Sequence, residues 1–131
     1  LIVATDTATF GYPEVKIGFV PAMVAAILRR SLGEKKSFEL LTQGFEYSAE
    51  KALSLGLVNA LFDDEGFDGA VLEYASVYTK VSGSAVRLTK RLVYDIDGRS
   101  FSEAIERGVQ VNATARMTED CQNGIARFLT K

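Results

Sequence analysis

Apolar and β-branched residues open the chain in two short runs, Leu1-Ile2-Val3-Ala4 and Ala8-Thr9-Phe10, with polar Thr5-Asp6-Thr7 between them. Such a pattern predicts strand, turn, strand. Pro13 fixes its own φ and disfavours helix for the residue before it, so Tyr12-Pro13 reads as extended chain or turn and presents Glu14 from a stiff corner. From 22 to 32, Met23, Ala26, Ile27 and Arg30 follow helical spacing, with Pro21 suited to the start and Gly33 to the end. A second helix is predicted over 34–43, turning Phe38, Leu41 and Leu40 inward before Gly44 stops it. Ser48 suits the N-cap of a short helix over 49–55 closed by Gly56, and 57–62 reads as a strand.

After residue 64 the pattern is almost wholly helical. A helix is predicted over 65–80, capped by Asp64 and weakened by Gly66 and Gly69; Ser82-Gly83-Ser84 breaks it. The next helix, 85–94, sets Val86, Thr89, Leu92 and Val93 against Arg87, Lys90 and Arg91 on the other side. Ser100 and Glu103 have the spacing of a capping box for a helix reaching Met117, and Thr118 suits the cap of a last helix with Glu119 and Asp120 in its first turn. The division expected is an α/β front, 1–63, followed by a helical region, 64–131.

Composition narrows the chemistry. The 131 residues fit one domain or part of one, and 47% hydrophobic content is ordinary for a globular core. A net charge of -2 argues against a nucleic-acid partner. Arg29 and Arg30 interrupt the longest apolar stretch well short of the roughly 20 residues a membrane span needs. A soluble, cytoplasmic protein without a membrane partner is expected. Cys121 is the lone cysteine, read as a packing or surface residue, and there is no histidine, so Cys-His nucleophiles and the common zinc sites lack their ligands and no metal is expected. Chemistry therefore falls to carboxylates and backbone N–H groups. The chain starts without methionine inside an apolar run, as a piece of a longer protein would.

Glu14 is flanked by Phe10, Tyr12, Val15, Ile17 and Phe19, company that would shield an acid from water and suit it to general acid/base work. The residues alone leave open a plain surface glutamate at a strand end. The stretch Phe10-Gly11-Tyr12-Pro13-Glu14 through Gly18 to Pro21 resembles the signature of the crotonase (enoyl-CoA hydratase/isomerase) superfamily. Further segments are similar to that family in the same order: Glu39-Leu40-Leu41-Thr42-Gln43-Gly44, Ser48-Ala49-Glu50 through Gly56-Leu57-Val58-Asn59, and Glu119-Asp120-Cys121 through Phe128-Leu129.

The resemblance covers the C-terminal half of such a protein. It implies the end of a crotonase-like ββα spiral core followed by a helical trimerisation region, in a homo-oligomer that is a trimer or dimer of trimers. It implies a substrate, a 2-enoyl-CoA thioester of fatty acid metabolism, and no cofactor beyond the coenzyme A that the substrate carries. Glu14 matches the family's second catalytic acid, Ala22 the residue whose backbone N–H meets the catalytic water, and Phe128 and Lys131 the aromatic and base near the adenine and phosphates of coenzyme A. The activity implied is syn hydration, with double-bond isomerisation the alternative, because the first acid and the oxyanion hole belong to the family's upstream half. By itself the chain would then be an inactive oligomerisation fragment. Where many members have Pro-Gly-Ala-Gly-Gly, this chain has Pro21-Ala22-Met23-Val24-Ala25, whose bulkier Met23 and Val24 either narrow the acyl pocket or pack as helix core. Arg29, Arg30, Lys35 and Lys36 form a basic cluster that could meet phosphates or simply face water.

Overall fold

The computed structural model describes residues 1–130 and divides after Leu72 into two compact units. In the first, β1 (Val3–Thr5) and β4 (Ala60–Phe62) pair in parallel, with Val3 opposite Ala60 and Thr5 opposite Phe62. Asn59 secures the register from both sides. Its N–H donates to the Ile2 carbonyl at 2.7 Å and its Oδ1 accepts from the Ile2 N–H at 2.8 Å. A second pair, β2 (Thr9–Gly11) and β3 (Glu46–Ser48), runs antiparallel with Phe10 opposite Tyr47.

Helix α2 (Ala49–Ser54) follows β3 directly, and the Ser48 hydroxyl accepts from the Lys51 N–H at 3.3 Å as the N-cap expected. Small residues let this helix approach the sheets closely: Ala49 and Ala52 are fully buried. Ala4, Ala52 and Val58 make the core, with Ala8, Phe10, Tyr47, Leu57 and Leu61 packed against it.

Between β2 and β3 lies α1 (Ala22–Gln43), broken at Gly33 where φ is 74° and ψ is 178°. The two helices predicted over 22–32 and 34–43 are therefore present as two arms. Leu40 and Leu41 lie inward as expected, and Phe38 does not. Leu28, at 2% exposure, with Ser37, Leu40 and Leu41, is buried, whereas Met23, Ile27 and Phe38 face outward and Met23 is 88% exposed. A polar residue occupies a core position instead: Ser37 is buried, and its hydroxyl is satisfied there by donating to the Gly33 carbonyl at 2.6 Å. Strand β4 is also shorter than the predicted 57–62, because the Leu57 N–H is spent on the Ala52 carbonyl at 2.9 Å.

Helix α3 (Phe67–Ser76) continues into a single 3₁₀ turn, Val77–Thr79. The second unit contains α4 (Gly83–Asp95), α5 (Phe101–Arg116) and α6 (Glu119–Leu129). Both caps predicted for this unit are made, and Ser82, read from the sequence only as part of a break, makes a third. Ser82 accepts from Ala85 N–H, Ser100 and Glu103 form the reciprocal capping box, and Thr118 accepts from Cys121 N–H. The first turns of α4 and α6 are tied through one carboxylate: Asp120 Oδ2 accepts from Ser82 Oγ at 2.6 Å, Ser84 Oγ at 2.7 Å and Ser84 N–H at 3.1 Å. These bonds, that of Ser82 foremost, hold Asp120 down from its ordinary 3.8 to about 2. Arg107 bridges α5 to α4 by donating to Asp95 Oδ2 from Nε at 3.2 Å and Nη2 at 2.7 Å. Among the described residues, no helix is long and apolar enough to cross a membrane.

Candidate active site

Glu14 sits in a one-and-a-half-turn 3₁₀ segment, Pro13–Ile17: of the extended chain or turn expected at Tyr12-Pro13 it is the turn, and not the strand end of the plain surface reading. Local chemistry dictates this shape. Pro13 supplies the helical φ at a first-turn position where its missing N–H costs nothing. Gly18, with φ 75° and ψ 15°, ends the turn in the left-handed region, its N–H bonding the Val15 carbonyl at 3.2 Å. The Phe19 N–H closes back on the Glu14 carbonyl at 2.9 Å, so the turn is held by Pro13 at its start and by this bond at its end.

The side chain is held differently from the backbone. Glu14 is half-buried, and its Oε2 is shut off from solvent without a hydrogen-bond partner among the described residues. Leaving a buried acceptor unmade costs roughly 1–3 kcal/mol, and more for a charged group. Such orphaned atoms are uncommon in folded proteins and occur at catalytic groups as well as beside bound water or ions, which makes Glu14 the candidate acid of this site.

An aromatic cluster stands on the β2–β3 pair and on Tyr12, the residue that leads into the turn. Phe10 stacks on Tyr47 with ring centres 5.9 Å apart, Tyr12 lies 6.3 Å from the same ring, and Tyr47 Oη donates to Tyr12 Oη at 3.4 Å. Burial above all, and then the Tyr12 bond, pushes the Tyr47 phenol well above the ordinary tyrosine value. Sequence reading missed Tyr47 because it missed β3. The alternation of Phe45 and Tyr47 with Glu46 and Ser48 was the available signal, four residues long.

Pro21 is the centre of an inverse γ-turn, with φ -74° and ψ 61°, and the Ala22 N–H donates across it to the Val20 carbonyl at 2.8 Å. The N–H assigned by resemblance to a catalytic water is thus already engaged and would have to be shared. Glu14 and Ala22 both lie in the first unit, the acid in the Pro13–Ile17 turn and Ala22 at the start of α1. Phe128 is 80% exposed on the last turns of α6 in the second unit, and Lys131 lies outside the described residues. Val24 is half-buried, so it serves partly as helix packing, whereas Met23 does not. In the basic cluster, Arg29 pairs with Glu34 at 3.5 Å and Lys36 with Glu39 at 2.7 Å. Cys121 is free and half-buried. Among the described residues, no group of three or more carboxylate or thiol side chains is placed to hold a metal ion.

The family model described as Enoyl-CoA hydratase/isomerase matches residues 1–131. The Thermus thermophilus protein named "Putative enoyl-CoA hydratase" is 37% identical over 135 residues, which is 100% of this chain and 52% of that protein. Enoyl-CoA delta isomerase 2 of Rattus norvegicus is 26% identical over 131 residues, 99% of this chain and 34% of its own. The crystal structure of an enoyl-CoA hydratase from Mycobacterium smegmatis superposes with a TM-score of 0.91 at 28% identity, covering 99% of this chain and 51% of that one. The chain spans about half the length of the curated relatives it matches.

Proposed function

Because the chain belongs to the enoyl-CoA hydratase/isomerase family and folds as the C-terminal part of the crotonase-like α/β fold, we propose that the whole protein adds water to a 2-enoyl-CoA thioester, with Glu14 as general acid/base. The observation that supports this reading is the solvent-shielded, unpartnered Oε2 of Glu14 on a turn fixed at both ends. In the proposed reaction the hydroxyl of water adds to the β carbon, and a proton is delivered to the α carbon on the same face. Glu14 carries that proton and helps hold the water. Negative charge develops on the thioester oxygen, so two backbone N–H donors are needed there, and preorganised donors lower such barriers by roughly 3–4 kcal/mol each. In this reading they belong to the half of the protein that the relatives have beyond this chain.

The remaining expectations form one proposal with it. Ala22 shares its N–H between Val20 and the water. Phe128 and Lys131 meet the adenine and phosphates of coenzyme A, the substrate brings the only coenzyme, and the helices after residue 64 join copies into a trimer or dimer of trimers in the cytoplasm. A second reading keeps the same acid: Glu14 shuttles a proton between the α and γ carbons and the double bond migrates. It is favoured by the likeness to the rat isomerase.

The test follows the conjugated absorbance of a short 2-enoyl-CoA in the whole protein, in its Glu14→Gln variant and in the 131-residue chain alone. Expected are turnover by the whole protein, a loss of at least about a hundredfold in Glu14→Gln, within the range for a positioned acid/base, and silence from the chain alone. Full activity in Glu14→Gln would make the turn a structural corner. Turnover of a 3-enoyl-CoA in place of hydration would decide for the isomerase.

A further inference from the structure

We propose that the C-cap of α1 is the seat that positions the catalytic turn, with Gly44, Val15 and Lys16 acting as positioning residues for Glu14; the inference rests on the reading of Glu14 as the acid. Gly44 is buried and left-handed, with φ 67° and ψ 13°. A Cβ at this position would stand 3.1 Å from Val15 Cγ2, 3.2 Å from Lys16 Cγ and 3.4 Å from Lys16 Cε. Gly18, Gly56, Gly66 and Gly98 share the left-handed conformation, yet a Cβ at any of them would meet nothing within 4 Å. Gly44 is therefore glycine for two reasons. One is its backbone, and the other is that the two residues after Glu14 lie on its bare Cα.

Lys16 is held from its far end as well. Its Nζ lies 5.6 Å from the centre of the Phe45 ring, so the stem crosses Gly44 and the charge rests on the next residue. Val15 is stiff at χ1, and a methyl group pressed against it moves backbone rather than a rotamer. That backbone is the 3₁₀ turn, and its preceding residue is Glu14. The neighbour must give by a few tenths of an ångström. A misplacement of 1 Å costs on the order of a hundredfold in rate, so this displacement should lower kcat by about three- to tenfold.

The experiment separates positioning from stability by a rescue. In the whole protein, with a short 2-enoyl-CoA as substrate, kcat, KM and the thermal midpoint are measured for Gly44→Ala, Val15→Ala, Gly44→Ala/Val15→Ala and Glu14→Gln. Gly44→Ala should lose about three- to tenfold in kcat with KM within about twofold. The double variant keeps the backbone strain of alanine at a left-handed position but regains room. Its kcat should return to that of Val15→Ala while its midpoint stays as low as that of Gly44→Ala. A double variant as slow as Gly44→Ala, or a Gly44→Ala enzyme with unchanged kcat, overturns the proposal. If Gly44→Ala does not fold, Lys16→Ala, which removes the stem from the seat, takes its place, and unchanged kcat there overturns it equally. Glu14→Gln keeps the two readings apart. Full activity in that variant refutes the acid itself, whereas an inactive Glu14→Gln beside a normal Gly44→Ala refutes only the seat.

Discussion

Replacing Gly33 with alanine tests the break in α1 without touching any contact. At φ 74° and ψ 178° the residue occupies a region that is essentially closed to L side chains, where strain is of order 1–3 kcal/mol. A Cβ there would meet nothing within 4 Å, so no clash adds to the backbone term. Alanine also stiffens the unfolded chain, which offsets roughly 0.4–1 kcal/mol and leaves a net loss of about 1–2 kcal/mol. Straightening the helix is no escape. Leu28 is buried on one arm and Leu40 and Leu41 on the other, and unseating one leucine costs about 2–5 kcal/mol. With unfolding entropy near 2.1 cal/mol/K per residue, the 131-residue chain should melt about 4–7 °C lower. Urea unfolding followed by far-ultraviolet circular dichroism should show a lower midpoint at unchanged slope. Gly56→Ala, left-handed at φ 77° and equally free of neighbours, is the control and should lose about 1 kcal/mol. A Gly33→Ala chain as stable as the parent, or more so, would mean the two arms are one continuous helix.

Leu28→Ala should cost about 2–5 kcal/mol in the same urea assay, and Met23→Ala should stay within about 0.5 kcal/mol, because only the first side chain is removed from water. Asp120 has a folded pKa depressed from 3.8 to about 2, so its contribution is present above pH 3.8 and is lost as the pH falls towards 2. Urea midpoints taken across that window should fall steeply for the parent and less for Asp120→Asn; parallel curves would remove the link between α4 and α6. The Tyr47 phenol is raised, so the stabilisation it brings is present below the ordinary tyrosine value near 10 and is lost as the pH climbs beyond it. Ultraviolet titration should show a phenol ionising at raised pH, and Tyr47→Phe should abolish that step.

The helical region was legible because its signals are local. Ser100 with Glu103, and Thr118, each satisfy an N–H within three residues and stand where hydroxyl spacing put them, and Ser82, read only as part of a break, caps α4 in the same way. Gly33 and Gly44 were readable as helix ends for the same reason. What could not be read depends on partners distant in sequence. Strand β3 has three residues, and only its pairing with β2 makes it a strand. Ser37 takes an inward position that a count of apolar residues gave to Phe38, its hydroxyl satisfied there by the Gly33 carbonyl. At the site, the proline and the apolar neighbours pointed to Glu14. The unpartnered Oε2 and the bare Cα of Gly44 are properties of packing, and no residue pattern encodes them.

Asn59 and Ile2, which lock β1 beside β4, are 57 positions apart in the chain. Parallel pairing across such a separation is intrinsically slow, because the closure entropy of the intervening loop is spent before any bond returns it. Helices α1 and α2 need no such closure and can form in about a microsecond or less. A refolding chain therefore gains most of its helix early and its parallel sheet late. The Glu14 turn, its aromatic neighbours and Gly44 all lie inside the loop that this last event closes. Helical signal and a finished site are separate milestones in time, and the lag between them measures how long the acid waits for its surroundings.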